Sequence, residues 1–336
     1  MESYALSSDA PALHIAAGTA LDAAQWDAFI WRSPQGGLYH LHGYASVVYP
    51  GWRAAIVAER GVWVAVMLLC ESRRGPWTSL SQPVFAQYWG VCFAPQDDLP
   101  MQEQLSRQDR WLRALLPVWC RYHLVAQSFA PSFAYPLPFV WAGATLHTRY
   151  TFQLSLLPAP ATLMQGLADP LRRQIRKAQR AGLVLHRSGE IGGLLHLLEA
   201  QRAAGHDILG SHPHARRCLP ALAAWLCAQG LAQVLELRDA TGALHAAGLF
   251  ARYRQTTLYL IGAYDPVRRQ SGAMSALMWE AIRDAQAAGG TLFDFEGSMI
   301  EGIAHFFRKF GAHPVPYLQL RHNQLPLPIR WIHALR

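Results

Sequence analysis

The 336 residues suit two domains better than one compact core, and a composition of 51% hydrophobic against 15% charged residues excludes a disordered chain. A net charge of +8 favours anionic partners without choosing among nucleic acid, phosphorylated cofactors and anionic head groups. The longest strongly apolar stretch, 61–70, is about half of what a bilayer needs, and Glu2, Asp9, His14 and Asp22 break any signal-peptide pattern, which predicts a cytoplasmic chain without a membrane span.

In chain order, apolar runs at 52–58 and 62–70 flank Glu59, Arg60 and Gly61 and predict a hairpin. A short strand is expected at 88–93, a helix over 102–121 kinked at Pro117, and a strand at 123–129. Three prolines make 130–141 a loop. A strand at 149–156 opens the second half. The next helix is capped by Asp169, starts with Pro170 at its first position, ends at Gly182 and turns Leu171, Ile175 and Ala178 inward. A strand follows at 183–186, then helices near 191–204 and 220–229.

The most regular stretch comes next. Strands are expected at 233–238, 246–253 and 257–264, with Asp239 to Gly242 forming the first turn. The helix over 272–288 carries Met274, Leu277, Met278, Ala281, Ile282 and Ala285 at helical spacing. A strand at 291–295, a helix at 303–310 and a last strand at 315–321 complete the pattern. Antiparallel strands come first and a helix then crosses over to a further strand, an order that is not doubly wound. These elements predict a mixed α/β fold with domains at 1–148 and 149–321 and an irregular tail at 322–336.

Candidate chemistry clusters in the second half. Asp294 and Glu296 stand at i and i+2 of a strand, which puts both carboxylates on one face, where each raises the other's pKa and one becomes a base. Tyr264, at a strand end, is a candidate general acid. Arg172, Arg176 and Arg180 repel one another at helical spacing, which points to an anionic partner, with Ser298, Arg308 and Lys309 as further anion contacts. Arg269, Ser271 and Gly272 precede a helix whose first N–H groups can hold a phosphate. His206, His212 and His214 do not have the spacing of a recognised metal site, and five scattered cysteines without a CxxC pair signal no zinc. Walker and nucleophile-elbow motifs are absent from the sequence.

These motifs resemble those of a known family. Arg269, Gly272 and the residues after them are similar to the R/Q-x-x-G-x-G/A loop of GNAT acyltransferases, with Met274 where Gly or Ala is usual. The run from Phe293 to Met299 (FDFEGSM), followed by Phe306 to Ala312 (FFRKFGA), resembles the FemAB-like branch of that superfamily. So do the basic helix at 171–182 and the run SQPVFAQYWG at 81–90. The resemblance implies two tandem GNAT-like domains with a groove between them for the acceptor. It further implies acyl-CoA or aminoacyl-tRNA as a transient donor, no tightly bound cofactor, and a small-molecule or cell-wall-precursor-like amine acceptor. Peptidoglycan ligases of the family carry Lys in F-K-x-x-F-G. Phe307 occupies that position here, and the basic residues follow as Arg308 and Lys309. The alternative reading is a non-catalytic module of the same fold that binds an anionic ligand.

Overall fold

A computed structural model of the chain describes residues 10–210, 213–297 and 299–326. The fold is mixed α/β and divides into two compact units, one covering Met1–Arg149 and Pro316–Arg336, the other Tyr150–Val315.

The first unit opens with β1 (Ala12–Ala17) and helices α1 (Ala23–Arg32) and α2 (His42–Val48), none of which is among the elements expected from the sequence. Local chemistry explains α1. The Asp22 carboxylate caps it by accepting from the Gln25 N–H at 2.7 Å, and Trp26, Phe29 and Ile30 form its buried face. The expected hairpin is present as β2 (Arg53–Glu59) and β3 (Val62–Arg74), closed by Arg60 and Gly61, both at positive φ. Then come β4 (Trp77–Ser81), β5 (Val91–Phe93), α3 (Met101–Trp119) and β6 (Leu124–Ser128). Pro117 falls in the last turn of α3, so its missing N–H interrupts little of the helix. Part of the expected loop at 130–141 is a short helix, α4 (Leu137–Trp141), started by the constrained φ of its prolines.

The second unit is reached along β7 (Thr145–Ser155) and contains α5 (Pro160–Gly166), α6 (Asp169–Arg180), β8 (Val184–Ser188), α7 (Gly192–Ala203) and α8 (Pro213–Ala228). After these lie β9 (Ala232–Arg238), β10 (Leu244–Tyr253), β11 (Thr256–Tyr264), α9 (Ala273–Ala287), β12 (Leu292–Gly297), α10 (Glu301–Arg308) and β13 (His313–Asn323). Two helix starts differ from expectation. Asp169 is the first residue of α6 and makes no cap, because Ala168, with its extended backbone, holds the capping position. Helix α8 begins at Pro213 and runs through Pro220.

The sheet of this unit has the order β7-β12-β11-β10-β9-β8. Strands β8 to β11 are successively antiparallel; α9 then crosses over so that β12 lies parallel to β11, and β7 is antiparallel to β12. Helices α6 and α9 pack in the core through Leu171, Ile175, Ala178, Leu277, Ile282 and their neighbours. The aromatic residues of β12 and α10 join them: the Phe295 ring lies 5.0 Å from Phe307 and 5.3 Å from Phe310. In the first unit, β13 from Gln319 to Asn323 is antiparallel to β6, so the strand expected to close the second half belongs to the first unit from Pro316 onward. Among the described residues, no helix is long and apolar enough to cross a membrane.

Candidate active site

Strands β11 and β12 hold together only at one end. Their parallel pairing covers Thr256, Thr257 and Leu258 against Leu292, Phe293 and Asp294, and the register goes no further. A bulge in each strand accompanies the divergence. In β11 the register jumps between Leu249↔Ile261 and Phe250↔Tyr259, which leaves Leu260 unopposed. In β12 it jumps between Asp294↔Gln153 and Gly297↔Thr151, and Glu296 takes a left-handed φ of 59°. Past Leu258, the edge of β11 facing β12 has no strand partner among the described residues; the Tyr264 N–H there donates to the Gln201 side-chain oxygen, and the other outward N–H groups of this edge face the gap.

Helix α9 begins where β11 ends. Gly272 precedes its first residue with φ 78°, and a Cβ there would lie 2.3 Å from the Gln174 carbonyl oxygen of α6. The two helices are tied at this point by Ser275, whose hydroxyl donates to the Gln174 side-chain oxygen at 2.5 Å. A cavity of about 260 Å³ opens at the helix start, walled by Gln174, Tyr264, Arg269, Gly272, Met274 and Phe306 among others. The first N–H groups of a helix have no carbonyl within the helix to bond, so this end favours an anion. Arg268 is ion-paired with Asp265, whereas the Arg269 guanidinium has no side-chain partner among the described residues.

Met274 departs from the small residue usual for this loop, and the bulge in β11 explains where its side chain goes. By displacing the alternation, the bulge brings Tyr259 and Gly262 to one face. A Cβ on Gly262 would meet the Tyr259 hydroxyl at 2.6 Å and the Met274 methyl at 3.0 Å. Met274 thus packs over Gly262, beside the gap between the strands. Burial, and secondarily the Glu296 carboxylate, hold the Tyr259 phenol well above its usual pKa.

The residues named from the sequence are only partly brought together. Tyr264, Arg269, Ser271 and Gly272 share the cavity. Asp294 and Glu296 do not form the expected pair on one face, because the bulge intervenes. Asp294 is 3% exposed, and its carboxylate accepts from the Thr151 hydroxyl at 2.5 Å, the Gln153 amide at 2.9 Å and the Glu296 N–H at 2.8 Å. Burial raises its pKa, and these three bonds oppose the rise. The carboxylate of Asp294 thereby joins β7 to β12.

Arg172 is also engaged, by the Asp169 carboxylate and the Gln165 carbonyl, so the expected ladder of free arginines is reduced to Arg176 and Arg180. Those two, with Arg173 and Lys177, are exposed and have no side-chain partner among the described residues. Arg308 and Lys309 are exposed at the end of α10 and form no ion pair among the described residues. Ser298 and His212 lie outside the described residues. Among the described residues, no group of His, Cys, Asp and Glu has a metal-holding arrangement. Gln174, Tyr259 and Gly262 are additions from the structure. Their roles depend on a helix contact and a bulge, neither of which leaves a sequence signal, whereas Phe306 lies within the FFRKFGA run.

Known proteins share these elements. Residues 169–308 match the model of the acetyltransferase (GNAT) domain. No curated protein matches the chain. Among solved structures, FemX is similar with a TM-score of 0.66 at 14% identity, covering 89% of this chain and 96% of its own. A tandem GNAT protein from the clavulanic acid biosynthesis pathway has a TM-score of 0.52 at 14% identity, covering 94% and 99%. L-PGS from Bacillus licheniformis has a TM-score of 0.53 at 14% identity, covering 93% and 95%. Residues 169–308 thus match a GNAT acetyltransferase domain, and the chain shares its fold with FemX and the tandem GNAT protein.

Proposed function

We propose that the chain transfers an acyl group from an activated donor to an amine. The observation that carries this reading is the coincidence of the gap between β11 and β12 with a helix start whose Gly272 leaves no room for a side chain. The donor's phosphates would lie against the first turn of α9 and Arg269, with its acyl carbonyl in the gap, where β11 N–H groups stabilise the oxyanion. The amine nitrogen attacks the carbonyl carbon, the bond to the leaving sulfur or oxygen breaks, and the amine gives up a proton. Glu296 is the candidate base, since Asp294 is already committed to three donors. Tyr264, on the cavity wall, is the candidate acid for the leaving group.

The matched acetyltransferase domain and the tandem GNAT neighbour favour acyl-CoA as the donor. The unpartnered cations of α6 are what aminoacyl-tRNA would use, with a cell-wall-precursor-like or other small amine as acceptor. Thermal-shift titration with acetyl-CoA tests the first donor: stabilisation at millimolar ligand is expected, and its absence sinks that donor.

A non-catalytic binding module is the second reading, favoured by the fully engaged Asp294. Transfer measured with the full chain sinks this second reading; unchanged rates in Glu296→Gln and Tyr264→Phe would then remove these two residues as catalysts.

A further inference from the structure

Helix α10 has two chemically distinct sides. At about 100° per residue, Glu301, His305, Arg308 and Lys309 take one side, and Ile303, Phe306, Phe307 and Phe310 the other. A surface helix normally covers its apolar side with the core. Helix α10 does so toward its end, where Phe307 and Phe310 are buried against Phe295. Its beginning is different. Ile303 is 40% exposed, and Met299 and Ile300, just ahead of the helix, are 56% and 64% exposed.

These side chains form a row with two defined ends. Residues three apart on a helix are neighbours, so Ile300, Ile303 and Phe306 follow one another along about 9 Å of helix rise. One end lies just beyond the part of β12 that has separated from β11, which places Met299 and Ile300 at the open end of the gap. At the other end Phe306 is partly buried and walls the cavity at the start of α9, together with Met274, which packs over Gly262 of β11. The charged residues of α10 stand on its opposite side, which leaves the row purely aliphatic and aromatic.

We propose that this row is the wall for the donor's acyl chain, and that the acyl group transferred is a longer aliphatic one. An acetyl group ends inside the gap, whereas an alkyl chain that leaves the gap at its open end meets Met299, Ile300 and Ile303. Phe306 assigns the row to the donor and not to the amine, because it borders the same helix start as the donor's phosphates. The acyl chain is the part of such a donor that gains from aliphatic contact. The inference rests on the acyl-CoA reading above and adds to it the class of acyl group.

Calorimetry on the full chain with acetyl-CoA and octanoyl-CoA tests it. Octanoyl-CoA is expected to bind at least about tenfold more tightly, since each methylene removed from water adds affinity. Ile300→Ser and Ile303→Ser are each expected to narrow that difference to within about threefold. Ser suits the capping position that Ile300 holds, and Ile303 is part-exposed, so both variants are expected to melt as the wild type does. Equal affinities for the two thioesters, or variants that keep the difference, overturn the proposal while acetyl-CoA binding leaves the donor reading standing. Binding by neither thioester overturns the donor reading and this inference with it. Octylamine binding that both variants abolish, without a gain for octanoyl-CoA, gives the row to the acceptor. A dimer that Ile300→Ser dissociates in size-exclusion chromatography gives it to a second copy of the chain. Either of these results overturns the proposal.

Discussion

The α-carbon of Gly272 faces the carbonyl oxygen of Gln174 so closely that a methyl group between them would stand 2.3 Å from that oxygen. The contact is backbone on one side, so no side chain can rotate away to relieve it. It sets how near the start of α9 comes to α6, and with it the shape of the candidate phosphate cavity.

Gly272→Ala therefore combines a left-handed φ with this clash. The φ alone costs about 1–2 kcal/mol, and displacement of the helix start adds to that. Urea denaturation is expected to show a loss of at least about 2 kcal/mol, with donor binding impaired. A variant within about 0.5 kcal/mol of the wild type would refute the clash.

Asp294 gives a prediction in pH. Its folded pKa is raised by burial above the unfolded value of about 3.9. The folded state then binds the proton more tightly, so this group's contribution to stability declines as pH rises from the unfolded toward the folded pKa, and stays low above it. Asp294→Asn removes this dependence and costs about 1 kcal/mol, whereas Asp294→Ala strands three donors and costs about 3 kcal/mol. Wild-type stability relative to the Asn variant should be greater at about pH 4 than at about pH 7. The opposite order, in paired urea titrations, would mean that the hydrogen bonds outweigh burial.

Met274→Ala empties the space over Gly262. Since the side chain is only partly buried, the expected loss of stability is about 1 kcal/mol. Acetyl-CoA, if it is the donor, should bind more tightly to the variant. Weaker binding would show that the thioether contacts the donor and does not crowd it.

The exposed cations of α6 carry a quantitative expectation about tRNA. Replacing Arg173, Arg176 or Arg180 by Ala should lower the slope of log affinity against log salt by about one for each phosphate that is no longer neutralised, evenly across tRNA sequences. A slope unchanged in the triple variant would exclude this face as an RNA surface.

How far the sequence reveals the molecule depends on the kind of information each feature needs. The crossover from β11 through α9 to β12 is legible because the inward residues of α9 repeat at helical spacing. The Asp294 and Glu296 pair is misleading, because strand alternation fails at a bulge and a bulge has no residue signature here. Helix α1 carries a readable signal, an Asp cap ahead of Trp26, Phe29 and Ile30. Helix α8 hides its start because Pro220, a residue that commonly opens a helix, lies inside it. Arg172 is drawn away from the anion ladder by Asp169, three residues before it, a competition that spacing alone does not rank.

The first unit is discontinuous in sequence, since Pro316 onward pairs back onto β6 after the whole of Tyr150–Val315. The whole of Tyr150–Val315 is therefore synthesised before the strand that completes the first unit. The edge of β6 opposite β4 gains its partner only when that strand is made. Deleting residues from 316 onward would take the last strand from the amino-terminal unit, and leave Tyr150–Val315 with the strands β12, β11, β10, β9 and β8 of its sheet.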